Sequence, residues 1–277
     1  MGTYLFPFFF VIKLNGLIYI LMIKCYNIYG DKMLIDGINI NYINYGKKDG
    51  ETVVLLHGWG QNIQMMKPIG DNISSFCNVI IIDLPGYGLS DEPTYAWSVY
   101  DYVQMLKKLL DKLKVTNPIL IGHSFGGKIS LLYASMYDVK KLVLFGSPFK
   151  KEVKKMSLKV KVLKILKKVP GLNKLEGFAK KHIGSTDYRN ASPIMREILV
   201  GTVNLDIEKE VSKITCPTII IWGDLDEAVP LERAYELEKL IPDSAVIVYE
   251  GCTHYAYLER INQTISILEN FIGGKHE

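Results

Sequence analysis

The chain has 277 residues, of which 48% are hydrophobic and 22% are charged, which is enough for one large domain with a substantial core. It contains no internal repeat, low-complexity tract or Pro/Gly/Ser-rich linker, which excludes a repeat architecture and gives no boundary between two domains. The formal net charge of +4 is mild and gives no reason to expect a nucleic-acid partner.

Residues 4–23 are almost wholly apolar but are interrupted by Lys13, Asn15 and Gly16. The segment is long enough to span a bilayer, although a lysine near its middle costs about 3 kcal/mol. It lacks the basic n-region and the small-residue cleavage site of a secretory signal. Three interpretations of residues 1–32 stay open: a non-native or dispensable extension, which we favour, a membrane anchor, and a signal peptide.

From residue 33 onward the sequence alternates between apolar runs and helical patterns. Residues 33–35 and 38–45 flank Asp36-Gly37, a two-residue turn signal that predicts a β-hairpin. Continuous apolar runs, typical of strands buried on both faces, follow at 52–56, 79–82, 119–121, 142–145, 218–222 and 245–249. Apolar residues at helical spacing predict helices at 99–113, 126–136, 231–240 and 258–271.

This order of elements predicts an α/β fold. The eight predicted strands would form a mostly parallel, twisted sheet with helices on both faces, and the first hairpin would add antiparallel strands at one edge. We assign residues 33–147 and 213–277 to this core. Ligands of such sheets bind beyond the carboxyl ends of the strands, so candidate site residues are expected there.

Residues 148–212 interrupt the alternation and are interpreted as an inserted helical cap. An apolar stripe at 153–169 and a pattern at 193–203 each predict a helix. Residues 150–181 contain twelve lysines and two glutamates, a net charge of +10, which leaves −6 on the rest of the chain. We favour a solvated lysine face over an apolar underside. The alternative is a basic surface that attracts anionic substrates or, together with residues 4–23, a membrane.

The cysteines and histidines show no metal-binding pattern. The four cysteines, at positions 25, 77, 216 and 252, have no C-x-x-C spacing, and the five histidines form no H-x-x-x-H pair. We therefore expect reduced thiols, a cytoplasmic location and no metal or other cofactor. A membrane-associated location is the alternative if residues 4–23 act as an anchor.

The stretch Gly122-His123-Ser124-Phe125-Gly126 lies between a predicted strand and a predicted helix. A sharp strand-to-helix turn with serine at its apex and glycine two residues to either side is a nucleophile elbow. The turn exposes the serine hydroxyl, and the N-terminus of the following helix favours a nearby oxyanion. The alternative interpretation is an ordinary glycine-rich loop.

A serine nucleophile needs a base and a carboxylate that orients the base. His254 follows the predicted strand 245–249, and the loop after strand 218–222 contains three acids. Asp224, Asp226 and Glu227 are all candidates. We choose Asp226 by its spacing beyond Gly223, and expect Asp224 to cap the turn and Glu227 to face solvent.

The sequence His57-Gly58-Trp59-Gly60 follows the predicted strand 52–56. A glycine-flanked turn there would place the backbone N–H of Trp59 beside that of Phe125, and the two would form an oxyanion hole. His57 and His123 are expected to be structural. The side chains of Trp59, Phe125, Phe149 and Tyr255 are the candidates for lining a hydrophobic substrate pocket.

Over residues 33–271 the sequence resembles the α/β-hydrolase superfamily, specifically its capped, esterase- and lipase-like serine hydrolases. The resemblance rests on H-G-W-G at 57–60, D-L-P-G-Y-G-L-S at 83–90, G-H-S-F-G-G at 122–127, W-G-D-L-D at 222–226 and G-x-x-H at 251–254. It implies that Asp226 is the acid and that Trp59 and Phe125 are the oxyanion donors. Ser124 distinguishes the chain from the dehalogenases and epoxide hydrolases of the same fold, which use aspartate.

The expected activity is hydrolysis of carboxylic esters with small or medium apolar acyl groups. Ser124, His254 and Asp226 would act as nucleophile, base and orienting acid. A carbon–carbon bond hydrolase, a thioesterase or a perhydrolase could use the same residues. A ligand-sensing protein without turnover is the alternative from a different functional class. The sequence indicates no oligomeric state.

Overall fold

The computed structural model describes residues 8–14, 17–23, 30–151 and 186–273. The strands are β1 (Phe8–Leu14), β2 (Leu17–Ile23), β3 (Asp31–Ile35), β4 (Ile38–Gly46), β5 (Glu51–Leu56), β6 (Cys77–Ile82), β7 (Ile119–His123), β8 (Lys141–Phe145), β9 (Thr218–Gly223) and β10 (Ser244–Tyr249). The helices are α1 (Ile63–Ile73), α2 (Val99–Lys112), α3 (Phe125–Ala134), α4 (Thr186–Asn190), α5 (Pro193–Asn204), α6 (Glu208–Val211), α7 (Glu232–Leu240), α8 (Ala256–Glu259) and α9 (Ile261–Ile272).

Eight strands form one sheet in the order β10-β9-β8-β7-β5-β6-β4-β3. The strands from β10 to β6 are parallel to one another, whereas β4 is antiparallel to both β6 and β3. The predicted α/β fold with an antiparallel edge is therefore confirmed. Because the parallel strands share one direction, the residues that follow β5, β7, β8, β9 and β10 meet at one edge of the sheet.

The first hairpin of this sheet forms at the predicted turn. Asp36 and Gly37 have φ values of 48° and 85°, the left-handed pair that a two-residue hairpin turn requires. β3 begins at Asp31, two residues before the predicted start of the core at residue 33.

The sheet has a hydrophobic core on each face, which explains the continuous apolar runs of its central strands. Along β5, Val54 and Leu56 pack into the core that contains α2, α3 and α7. Val53 and Leu55 pack into the opposite core, which contains α1 and α9. Side chains of a strand alternate between faces, so a strand covered on both sides needs apolar residues throughout.

Helix α1 was not predicted from the sequence. It contains Pro68, and a proline within a helix removes one backbone hydrogen bond. It also contains Gly70, where a Cβ atom would lie 2.6 Å from the Tyr45 hydroxyl and 2.9 Å from Ile81 Cδ1. Gly70 therefore permits the helix to pack closely on the sheet, whereas Pro68 is only tolerated within the helix.

The helices predicted at 99–113, 126–136 and 231–240 are present with small differences in their bounds. The helix predicted over 258–271 is divided into α8 and α9 at Arg260, whose φ and ψ of −119° and 46° lie outside the helical range. The prediction of one continuous helix there was wrong.

The hydrophobic segment near the N-terminus contains β1 and β2, which form a separate two-stranded antiparallel sheet. None of the three interpretations of residues 1–32 included this hairpin, and the choice among them stays a prediction. Within the described ranges, no helix has both the length and the apolar character needed to cross a bilayer.

The second helix predicted for the cap insertion, at 193–203, is present as α5. The stripe predicted at 153–169 lies outside the described residues, and the assignment of 148–212 as a cap stays a prediction. At the N-terminus of α5 the Ser192 hydroxyl donates a 2.6 Å hydrogen bond to Glu92 Oε1. At its C-terminus Lys128 Nζ donates to the carbonyl oxygens of Thr202 and Leu205, at 2.8 and 2.6 Å.

Lys128 is almost fully buried in α3, and burial lowers its pKa to about 8. Replacing it with methionine would leave the carbonyls of Thr202 and Leu205 without their charged donor. We expect Lys128→Met to lower the free energy of unfolding by about 2–4 kcal/mol, measured by urea denaturation. The control is Lys108→Met, which removes an exposed ion pair with Asp36 and should cost less than about 1 kcal/mol. Equal losses in the two variants would contradict an anchoring role for Lys128.

Candidate active site

Ser124 occupies a strained turn between β7 and α3. Its φ of 51° and ψ of −111° lie in a region that residues other than glycine rarely adopt. Its backbone N–H donates a 2.9 Å hydrogen bond to the carbonyl oxygen of Phe145, which holds the turn against β8. The hydroxyl makes no capping hydrogen bond with α3. Because the side chain is half-buried while its neighbours are buried, the turn presents the hydroxyl at the edge of the sheet.

The glycines flanking Ser124 are required by close backbone approach. A Cβ atom on Gly122 would lie 2.6 Å from the Cα of Gly127, closer than non-bonded carbon atoms approach each other in proteins. A Cβ atom on Gly126 would collide with the carbonyl oxygen of Leu56. The local geometry thus matches the strand–serine–helix turn predicted at 122–126.

His254 and Asp226 form a partly buried pair in the loops after β10 and β9. His254 Nδ1 lies 2.7 Å from Asp226 Oδ2, and the Asp226 side chain is only 1% exposed. The other carboxylate oxygen, Oδ1, accepts hydrogen bonds from the backbone N–H groups of Ala228 and Val229, at 2.8 and 2.9 Å. With both oxygens occupied, Asp226 is held in one orientation and fixes the His254 ring.

The other two acids of this loop point elsewhere. Asp224 Oδ1 accepts a 2.7 Å hydrogen bond from the backbone N–H of Gly251, so it ties the loop after β9 to the loop after β10. Glu227 is exposed. Of the three acids predicted as candidates, Asp226 is the one that the structure brings to His254.

The pair lies beside the end of β7, the strand that precedes Ser124. The ring centroids of His254 and His123 are 4.7 Å apart, and His123 immediately precedes Ser124. Gly146, which follows β8, provides space for the pair, because a Cβ atom there would lie 2.9 Å from His254 Nδ1 and 3.2 Å from Asp226 Oδ2. Sequence reasoning missed Gly146, although its position directly after a predicted strand was a usable signal.

The loop at 57–60 contacts the elbow directly. The backbone N–H of Gly126 donates a 3.1 Å hydrogen bond to the carbonyl oxygen of His57. Within the described ranges, the backbone N–H groups of Trp59 and Phe125, the predicted oxyanion donors, have no hydrogen-bond partner.

His57 and His123 are fully buried and take part in structural hydrogen bonds. His57 Nε2 accepts from the backbone N–H of Leu84 at 3.0 Å, so its proton is on Nδ1, which lies 2.7 Å from the carbonyl oxygen of Gly58. Burial lowers the pKa of His57 to about 4 and that of His123 to about 3. These bonds are consistent with the structural role expected for His57, and pKa values this far below neutral make both buried rings poor general bases near neutral pH.

The four residues predicted to line a pocket differ in exposure. Trp59 is partly exposed, and its ring makes edge contacts with Tyr87 and Phe125 at centroid distances of 5.4 and 5.3 Å. Tyr255 is 40% exposed, whereas Phe125 and Phe149 are buried in the core. Trp59 and Tyr255 therefore present surface beside the site, and the participation of Phe125 and Phe149 in a pocket stays a prediction.

The two buried histidines predict a loss of stability in mild acid. The unfolded chain binds a proton at each histidine below pH 6.5, whereas the folded chain does not until about pH 4 or lower. Each should therefore lower the free energy of unfolding by up to about 1 kcal/mol per pH unit as the pH falls from 6.5 toward 4. Urea denaturation of His123→Gln should show a smaller difference between pH 7 and pH 5 than the wild type, and an unchanged difference would contradict a neutral, buried His123.

The comparisons with known proteins agree with the observed fold. A family model described as the alpha/beta hydrolase fold matches residues 51–174 and 163–261. The pimeloyl-[acyl-carrier protein] methyl ester esterase of Aliivibrio fischeri is 26% identical over 247 residues, 81% of this chain and 94% of its own. The 2-hydroxy-6-oxononadienedioate/2-hydroxy-6-oxononatrienedioate hydrolase of Paraburkholderia phymatum is 29% identical over 259 residues, 80% of this chain and 87% of its own.

Among solved structures, an esterase from Exiguobacterium antarcticum has a TM-score of 0.70 and 25% identity, and the match covers 88% of this chain and 99% of the esterase. The family model covers well over half of the chain, and this chain has the fold that the family model describes. The chain therefore belongs to the α/β-hydrolase family, and it is a hydrolase.

Proposed function

We propose that this hydrolase cleaves carboxylic esters of small or medium apolar acyl groups through a covalent acyl-serine intermediate. The observation that carries the proposal is the 2.7 Å contact between His254 Nδ1 and Asp226 Oδ2, next to the strained turn that exposes Ser124. The contact leaves His254 Nε2 as the nitrogen available to a serine hydroxyl. The esterases among the relatives and solved structures support an ester as the substrate class.

In the proposed mechanism, Ser124 Oγ attacks the carbonyl carbon while His254 Nε2 takes the hydroxyl proton. The carbonyl oxygen becomes an oxyanion that accepts hydrogen bonds from the N–H groups of Trp59 and Phe125, each worth about 3 kcal/mol. The ester C–O bond breaks as the protonated His254 gives its proton to the departing alcohol oxygen. Water then attacks the acyl-serine through the same base, which releases the carboxylic acid and restores the serine.

A carbon–carbon bond hydrolase is the second candidate, because it would use the same residues. The observation that favours it is the 29% identity to the 2-hydroxy-6-oxononadienedioate/2-hydroxy-6-oxononatrienedioate hydrolase of Paraburkholderia phymatum. Both chemistries pass through an oxyanion beside Ser124, so the catalytic residues alone do not separate them.

We expect a fluorophosphonate to label Ser124, and p-nitrophenyl esters of short acyl chains to be hydrolysed faster than vinylogous 1,5-diketones. Ser124→Ala should abolish the labelling and lower kcat for the esters by at least about a thousandfold. Ser135→Ala, a control near the other end of the same helix, should keep both. Peptide mapping by mass spectrometry locates the label, and labelling at another residue would contradict the assignment of the nucleophile. Tight ligand binding with negligible turnover would instead support a sensing protein.

The matched pair Asp226→Asn and Asp224→Asn tests the choice of acid. Asparagine at 226 loses the carboxylate that stabilises a protonated His254, so kcat should fall by about a thousandfold or more. Asparagine at 224 can still accept the hydrogen bond from Gly251, so kcat should change by less than about threefold. Steady-state kinetics with a p-nitrophenyl ester measures both. The reverse ranking would transfer the role of the acid to Asp224.

A further inference from the structure

The side chain of Gln61 folds back onto the loop that contains the proposed oxyanion donor. Its Oε1 accepts a 2.9 Å hydrogen bond from the backbone N–H of Gly58. Its own backbone N–H donates to the carbonyl oxygen of Gly58 at 3.3 Å. The same carbonyl lies 2.7 Å from His57 Nδ1. Both backbone polar groups of Gly58 are therefore held, one by the side chain and one by the main chain of Gln61.

These contacts determine where the N–H of Trp59 points. The carbonyl of Gly58 and the N–H of Trp59 belong to one planar peptide unit, and in a trans peptide they point in opposite directions. The chain contains no cis peptide bond in its described ranges. The hydrogen bonds that hold the N–H and the carbonyl group of Gly58 therefore also fix the direction of the Trp59 N–H.

The amide of Gln61 also reaches the two other segments that contain proposed catalytic residues. Oε1 lies 3.2 Å from Nδ1 of His123, the residue before Ser124. Nε2 donates to the hydroxyl of Tyr255, the residue after His254, at 3.4 Å. His123 also contacts the segment of His254, because its Nε2 lies 3.1 Å from the carbonyl oxygen of His254. The neutral ring carries one proton, so it donates to one of the two oxygens and only packs against the other.

These groups converge on one point beside the nucleophile. A Cβ atom on Gly58 would lie 2.9 Å from His123 Nδ1, 3.1 Å from Gln61 Oε1 and 3.2 Å from Ser124 Cβ. A side chain at position 58 would therefore displace Gln61 or the elbow. A half-buried glutamine thus joins the oxyanion loop, the nucleophile turn and the base loop.

We infer that Gln61 is a positioning residue, which aligns the Trp59 N–H with Ser124 and His254 through its hydrogen bonds to Gly58 and Tyr255 and its contact with His123. The inference rests on the proposed function, because it assigns Gln61 a role in the same reaction. Sequence reasoning missed this residue, since a glutamine after a glycine-rich turn has no distinctive pattern.

The test compares Gln61→Met with Gln104→Met. Methionine has nearly the length of glutamine but neither amide group. Gln104 is the matched control, because it lies on the exposed side of α2, away from the proposed site. Its amide donates a hydrogen bond to the hydroxyl of Tyr137. Alignment of an oxyanion donor acts on the transition state, so Gln61→Met should lower kcat for a p-nitrophenyl ester tenfold to a hundredfold. Its KM should stay within about threefold of the wild type, and its rate of fluorophosphonate labelling should fall in parallel with kcat. Gln104→Met should change none of these values.

Thermal unfolding separates this role from a structural one. The melting temperatures of the two variants should agree within a few degrees, and a loss of kcat that follows the loss of folded protein would overturn the inference. An unchanged kcat in Gln61→Met, or a rise in KM alone, would also overturn it.

Hydrogen exchange decides the inference independently of activity. Exchange followed by mass spectrometry should be faster in Gln61→Met within the peptides 57–62 and 252–258, and unchanged in both peptides of Gln104→Met. Unchanged exchange at 252–258 in Gln61→Met would contradict the connection between the loops. A wild type that neither turns over esters nor reacts with fluorophosphonate would contradict the proposed function, while this exchange comparison would still test the connection.

Discussion

The positive φ of Ser124 is the constraint on which the rest of the site depends. A residue other than glycine held in such a region costs about 1–3 kcal/mol, and it persists only where the surrounding structure determines it. Two backbone hydrogen bonds do so, from Ser124 to Phe145 and from Gly126 to His57. These bonds also place the end of β8 and the loop after β5 against the nucleophile turn. The interactions that maintain the strain therefore assemble the site as well.

The parallel sheet brings together residues that are far apart in the sequence. The loops after β5, β7, β9 and β10 contribute Trp59, Ser124, Asp226 and His254 to one edge. β8 lies between β7 and β9 and contributes a residue without a side chain, Gly146, at the point where the pair of Asp226 and His254 needs space. The proposed site thus depends on the absent side chain of Gly146 as well as on the side chains of Ser124, Asp226 and His254.

The sequence predicted the strands and the site residues that directly follow them, because both can be recognised from the local pattern of apolar and polar residues. Apolar runs located each strand of the sheet, and the polar residues after them included Ser124, Asp226 and His254. Helix α1 was missed because Pro68 and Gly70 are unfavourable in helices, and only the contact of Gly70 with Tyr45 and Ile81 explains the glycine. Gln61 was missed for a different reason. Its proposed role depends on contacts with His123 and Tyr255, which lie 62 and 194 positions further along the chain, and no local pattern encodes such contacts.

Helix α3 connects the Ser124 turn to α5, a helix within the proposed cap. It begins directly after Ser124, and Lys128, one turn further on, holds the C-terminal carbonyls of α5. Residues 125–133 of α3 are all buried, so the helix has little freedom to rotate in response to a change at either end. The other end of α5 is held through Ser192 and Glu92. Substitutions between residues 148 and 212 can therefore change the surface offered to an acyl group without disturbing the Ser124 turn only where they preserve these two attachments.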